Sequence, residues 1–201
     1  MHRLLAGHSS FRREFVAHSR EFLAELASEH QSPDALYIGC ADSRVIPELL
    51  TNSAPGELFV VRNVANLVPP AARASSSVGA ALEYALEVLH VGHVVVCGHY
   101  GCGGVKAMID GIDAVKFPEL ATWIGDAAVA NAAARGASGP EQWREAVEEN
   151  VLDQLANLSS YPSVRTRLES GALALHGWVY DLNGSLSVYD PAREGFVDPH
   201  A

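Results

Sequence analysis

The chain contains no long apolar run, no basic cluster and little cysteine, and each absence removes a class of function. A membrane-spanning helix needs about 18 or more consecutive apolar residues, and no such stretch occurs. Met1–Gly7 carries only a short apolar segment before polar residues follow, too little for the core of a secretory leader. The expectation is a cytoplasmic protein without a membrane partner. Lys and Arg number 14 against 24 Asp and Glu, a formal net charge of −10. Nucleic acid and anionic lipid are both held by clustered cations, so neither is an expected partner. Three cysteines in 201 residues fall short of a disulfide framework and suit a reducing compartment. The glycines of Gly98–Gly104 match neither the dinucleotide pattern G-x-G-x-x-G nor a P-loop with its Lys-Ser/Thr ending.

What is present is an ordinary globular composition, 48% hydrophobic and 19% charged, long enough for one domain with a real core. The stripe of Phe11, Phe15, Phe22 and Leu26 over residues 10–30 predicts an aromatic-rich helix. Residues 1–32 are expected to form an arm that packs on a partner subunit. Apolar runs at Ala35–Cys40, Glu57–Asn63 and Val91–Cys97 read as strands. Between them a short helix starts at Pro47, and a longer one follows the capping serines Ser75–Ser77 with Val78, Leu82, Ala85, Leu86 and Leu89 on its apolar face. Cys102–Ile109, residues 118–135, Glu141–Leu158 and Val164–Glu169 read as helices, with a break at Gly136–Pro140. Ala172–Asp181 and Ser185–Tyr189 flank Asn183-Gly184, a hairpin signal. Strands alternating with helices imply an α/β domain whose central, mostly parallel sheet is covered on both faces and bears an antiparallel edge strand.

Two of these strands end in chemistry. Cys40-Ala41-Asp42-Ser43-Arg44 closes the first, and His99-Tyr100-Gly101-Cys102 follows the third. Two Cys and one His form a zinc set that leaves a fourth position open. Strand ends of a parallel sheet line one crevice, so Cys40, His99 and Cys102 can converge there. A structural zinc site would bring four ligands in two close pairs. A phosphatase-like nucleophile would need a longer loop between Cys and Arg. A Cys40–Cys102 disulfide conflicts with a reducing compartment. Simple packing of small thiols leaves Asp42, Arg44 and His99 unexplained. Cys97, inside an apolar run, is expected to be a packing thiol. His8, His18 and His30 are expected in solvent, His90 and His93 at a strand edge, His176 as a satisfied core histidine, and Lys106 on an exposed helix face.

The segments Cys40–Val45, Gly56–Asn66, Gly98–Gly104 and His176–Asp181 together resemble the β-class carbonic anhydrases, in the family's order. The resemblance implies a Zn²⁺ enzyme that hydrates carbon dioxide reversibly to bicarbonate and a proton through hydroxide made at the metal. It also implies a homodimer or homotetramer with active sites near the subunit interface. In that family pattern Asp42 and Arg44 are the catalytic pair. Asp42 orients the nucleophile while Arg44 holds it, and in a closed state Asp42 itself becomes the fourth metal ligand. The amide of Gly103 contacts a substrate oxygen. A non-catalytic bicarbonate site known in some bacterial members maps onto Gly39, Arg62 and Tyr180, with Tyr37 standing where a Trp is usual. Arg62 reads equally as a structural residue at a dimer contact. Two thiolates offset the charge of the ion, so activity is expected to rise into mildly alkaline pH. Two alternatives stay open on sequence: a carbonyl sulfide or carbon disulfide hydrolase on the same fold, and a non-catalytic bicarbonate-binding regulatory protein.

Overall fold

A computed structural model of the chain describes residues 1–72, 76–125 and 139–201. It separates into two compact units, Met1–Ser32 and Pro33–Ala201. The first unit holds α1 (His2–Phe11), a π-turn over Arg12–Val16, and α2 (Arg20–Ser28). The single helix expected over residues 10–30 is therefore broken. His18 turns its ring back to the Glu14 carbonyl (2.6 Å), and Ser19 leaves the helical region at φ −120°. Ser competes with the helix backbone at such positions, which suits it to a cap. Phe11 stacks on Phe15 with ring centroids 5.3 Å apart, and no residue of α1 or α2 is buried.

The second unit is built on one sheet. Its strands are β1 (Ala35–Cys40), β2 (Leu58–Asn63), β3 (His93–His99), β4 (Ala174–Tyr180), β5 (Leu186–Asp190) and β6 (Gly195–Val197). They lie in the order β2-β1-β3-β4-β5-β6. The first four are parallel, and β5 and β6 add as antiparallel edge strands. The expected fold class holds, with β6 as a second antiparallel strand that the sequence reading lacked. It is three residues long, below the length at which alternation is readable. The chain runs from β1 to β2 on one side and returns to β3 on the other. The carboxyl ends of β1 and β3 therefore form the topological switch point, where open α/β sheets place their sites.

Around the sheet are α3 (Pro47–Thr51), α4 (Ser77–Glu83) continuing into a π-turn at Tyr84–Val88, α5 (Gly103–Asp110), α6 (Pro118–Gly125), α7 (Pro140–Ser159) and α8 (Pro162–Glu169). Ser76 caps α4, its Oγ accepting from the Gly79 amide at 3.0 Å. Ser75, the helix expected over 126–135 and residues 136–138 of the expected break lie outside the described residues. One sheet face buries Leu36, Ile38, Val94 and Val96 against Val78, Leu82 and Leu86 of the α4 segment and Val147 and Val151 of α7. The opposite face holds a smaller cluster of Tyr37, Val95 and Cys97, with Leu50 of α3 and Trp178 against it. Helix α7 lies so close to β3 that a Cβ on Gly98 would meet Val151 Cγ2 at 2.8 Å; only a glycine admits that approach. Within the apolar stripe of α7, Asn150 and Gln154 are also fully buried. They are satisfied by the loop after β2: Asn150 Nδ2 donates to the Ala65 carbonyl (3.0 Å), and the Val68 amide donates to Gln154 Oε1 (2.8 Å). No helix among the described residues is long and apolar enough to cross a membrane.

Candidate metal centre

Cys40 is the last residue of β1 and His99 the last of β3, so the switch point brings them together. The sequence reading ended the third strand at Cys97; the ladder instead runs on, with His99 in register with Tyr180 of β4. Cys102 follows after a tight turn in which Gly101 takes φ +74°, and it caps α5. The two sulfurs and one ring nitrogen lie within 4.8 Å of one another, and all three residues are buried. The sulfurs are 3.8 Å apart.

The donor set fits zinc on three observations. His99 Nδ1 lies 3.1 Å from the Tyr100 carbonyl, so the proton belongs on Nδ1 and the lone pair on Nε2. That Nε2 is buried and has no hydrogen-bond partner among the described residues. A buried polar atom left unpaired costs about 1–3 kcal/mol, and a metal ion removes that cost. The two thiols also compete when no cation is present. The hydrogen bond from Cys102 holds Cys40 toward thiolate, helped by the backbone of Asp42 and Ala65, while the negative Cys40 and burial push Cys102 up. A divalent cation lets both ionise. Cys97 behaves otherwise: wholly buried, its thiol is pushed up to about 12 by desolvation, as a packing thiol should be.

Asp42 lies beside this triad, its Oδ2 3.8 Å from His99 Nε2. Arg44 grips it twice, Nε to Oδ1 at 2.9 Å and Nη2 to Oδ2 at 2.7 Å, and the Arg44 amide adds a third bond to Oδ1 at 3.0 Å. These bonds hold the carboxyl well below the usual carboxylate range. Arg62, in register with Gly39, donates from Nε to the Cys40 carbonyl (3.0 Å) and from Nη2 to the Asp42 carbonyl (2.6 Å). Its guanidinium thus supports the loop that carries both residues. The Tyr37 ring lies over Gly39, where a Cβ would meet its Cε1 at 2.6 Å. The Tyr37 hydroxyl is buried near Cys97, and desolvation raises its pKa. Tyr180 flanks the same small cluster. Gly103 opens α5 with free space around its Cα, whereas a Cβ on Gly104 would meet Ala65 Cβ at 2.8 Å and Val64 Cγ1 at 2.9 Å. Close approach of the loops therefore depends on Gly104.

The other titratable residues fall mostly as expected. His8, His18 and His30 are exposed, His90 Nδ1 contacts the Leu86 carbonyl, and Lys106 pairs with Asp110. His176 is satisfied but only half-buried, its Nε2 3.1 Å from His93 Nδ1. Three features escaped the sequence reading. Ala65 takes a left-handed φ of 65° beside the site. Tyr100 donates from its hydroxyl to Glu148 Oε1 at 2.5 Å. Trp143 donates from Nε1 to the Cys102 carbonyl at 3.0 Å. Only the amides Asn150 and Gln154, four residues apart inside an apolar stripe, left a trace of the polar contacts from α7 in the sequence.

A buried sulfur–nitrogen–sulfur triad with an acid–guanidinium couple, placed at the switch point of a parallel sheet, defines an α/β zinc enzyme. The carbonic anhydrase family model matches residues 35–186. A carbonic anhydrase of Pseudomonas aeruginosa is 42% identical over 201 residues, covering 98% of this chain and 91% of the relative. The structure of the β-carbonic anhydrase CcaA superposes with a TM-score of 0.93 at 37% identity, covering 99% of each chain. Two tetrameric β-carbonic anhydrases from Sordaria macrospora are also represented, with a TM-score of 0.80 at 28% identity, 93% of this chain and 95% of the other being covered. The chain belongs to the β-class carbonic anhydrases. Its activity is that of a carbonate dehydratase acting on carbon dioxide and bicarbonate, and the Cys40, His99 and Cys102 cluster is typical of the zinc site of that class. Carbonic anhydrase activity is therefore the reading carried forward, rather than a carbonyl sulfide or carbon disulfide hydrolase or a non-catalytic bicarbonate-binding regulatory protein.

Proposed function

We propose that this carbonic anhydrase holds zinc through Cys40, His99 and Cys102 and works with Asp42 and Arg44 as its catalytic pair. The observation that carries this is the orphaned, buried Nε2 of His99, facing two thiols and lying 3.8 Å from a carboxylate. Zinc with two thiolate ligands and one imidazole supplies hydroxide less readily than zinc with three imidazoles, so hydration rises into mildly alkaline pH. Asp42 stays ionised under the grip of Arg44 and acts as acceptor, orienting the attacking oxygen toward the substrate carbon. Arg44 keeps that carboxylate away from the fourth ligand position. Were the clasp to open, the Asp42 carboxylate would be free to take the remaining position beside Cys40, His99 and Cys102, which would exclude the nucleophile. The amide of Gly103, at the amino end of α5, donates to a substrate oxygen. Stopped-flow carbon dioxide hydration by native, zinc-stripped and Asp42→Asn protein tests the reading. Undiminished turnover after stripping overturns it.

In the same reading Tyr37, Gly39, Arg62 and Tyr180 form a regulatory bicarbonate pocket. Its support is the adjacency of the Tyr37 ring, Gly39 and Arg62 across β1 and β2. An anion beside Arg62 competes with the Cys40 and Asp42 carbonyls for the guanidinium and so favours the shut arrangement. It shifts the balance only by its differential affinity for the two states. Bicarbonate inhibition that is unchanged in Arg62→Ala would end this part. The enzyme works as a homodimer or homotetramer in the cytoplasm, with residues 1–32 packed on a partner subunit. Exposed Leu4, Leu5 and Phe11 of that arm, three free thiols and the tetrameric relatives support this. Light scattering that found a monomer would refute the assembly.

A further inference from the structure

His99 at the end of β3 and Cys102 before α5 flank one tight turn, and the outer side of that turn is held by the first turns of α7. Trp143 Nε1 donates to the Cys102 carbonyl at 3.0 Å. Glu148 accepts from the Tyr100 hydroxyl at 2.5 Å. The guanidinium of Arg144 stacks on the Tyr100 ring, 3.6 Å from its centroid, and is itself steadied by Asp181 at 3.5 Å. Tyr100 in turn orients the ligand: its carbonyl takes the Nδ1 proton of His99 at 3.1 Å, and its amide donates to the Tyr180 carbonyl at 3.0 Å. Three side chains on one helix thus fasten the residue between the ligands and the backbone of the second thiol.

We infer that Trp143, Arg144 and Glu148 are positioning residues, a brace through which α7 sets how firmly His99 and Cys102 keep zinc. The inference rests on the three-ligand reading of the centre. A general stabilising role does not account for the arrangement. The fully buried apolar anchors of α7 are Ala146, Val147, Val151 and Leu158, with Trp143 packing partly buried beside them. Arg144 is about half exposed, and exposed charged contacts of that kind add little to global stability. Groups that fix the carbonyl partner of a ligating imidazole instead affect metal retention, typically 10–100-fold.

The test uses full-length, zinc-loaded enzyme, with zinc release followed by transfer to a chromophoric chelator. Tyr100→Phe keeps the ring under Arg144 and loses only the hydroxyl; Trp143→Phe keeps an aromatic but loses the N–H donor and part of the indole's volume; Glu148→Ala removes the acceptor. Each is expected to release zinc about 10-fold faster or more. Each is also expected to shift the visible absorption of the cobalt-substituted protein, and Glu148→Gln should restore slow release. Arg167→Ala removes the remote Arg167–Glu87 contact and should leave release unchanged. Unchanged release and cobalt spectra in both Tyr100→Phe and Trp143→Phe would overturn the inference. So would equal acceleration by Arg167→Ala, since that means general loosening. Cys102→Ser tests the underlying centre separately: zinc retained at the parental rate there would refute the ligand assignment itself.

Discussion

The two ends of β3 each carry an imidazole, and they have opposite fates. At the carboxyl end His99 is fully buried, with Nδ1 on a backbone carbonyl and Nε2 unpaired among the described residues. At the amino end His93 is exposed and shares a ring-to-ring contact of 3.1 Å with His176 on the neighbouring strand. The same side chain belongs to a cluster typical of a zinc site at one end and pairs with a second imidazole at the other. Its surroundings decide which. At the switch point two thiols lie close to the free nitrogen, which has no hydrogen-bond partner among the described residues. At the other end the neighbouring parallel strand supplies a second imidazole two residues beyond Ala174, the register partner of His93, and one nitrogen of each ring pairs with the other.

That contrast can be broken most completely by removing a ligand. His99→Ala or Cys102→Ser should abolish zinc retention, measured by elemental analysis, and reduce hydration to the zinc-free background. His93→Ala should keep both zinc and activity. Asp42→Asn should retain zinc yet lower kcat/KM by about 10²–10⁴-fold, the range of a positioned acid–base group. Arg44→Ala, acting through Asp42, should cost about 10–100-fold; stopped-flow rates check both. Gly104→Ala should destabilise by about 1–3 kcal/mol in urea titrations, because the added methyl group overpacks against Ala65 and Val64.

The smallest effect sharpens the other end of the strand. Burial, with a contribution from His93, holds the His176 pKa below its ordinary value. The unfolded chain therefore binds more protons than the folded one in this window, so stability rises with pH there. The contribution is complete above about pH 6.5 and declines as the pH falls toward the folded value. His176→Asn should flatten that part of the stability–pH curve in denaturant melts. A slope unchanged by the substitution would remove His176 as its source.

Strand identity was readable where burial on both faces produced continuous apolar runs, as in Ala35–Cys40. Ends were less readable. The third strand is expected over Val91–Cys97 from its apolar run, whereas pairing with β4 carries it to His99. The break at Ser19 and the three-residue β6 were missed for a related reason. Each depends on a local competition too short to leave a period in the sequence.

The residue types at the centre were determined by sequence alone: two thiols, an imidazole and an Asp-x-Arg pair, placed after strand-like runs. Thiolate and imidazole chemistry already favours zinc. Tertiary structure alone decided which imidazole kept a nitrogen without a partner among the described residues, that Arg44 grips Asp42 with two of its side-chain nitrogens, and that α7 reaches the turn between the ligands. These are distances across 40 residues or more of chain, or the outcome of competition among neighbours in space. Such competition is settled only when the strands take their register and the helix packs against them.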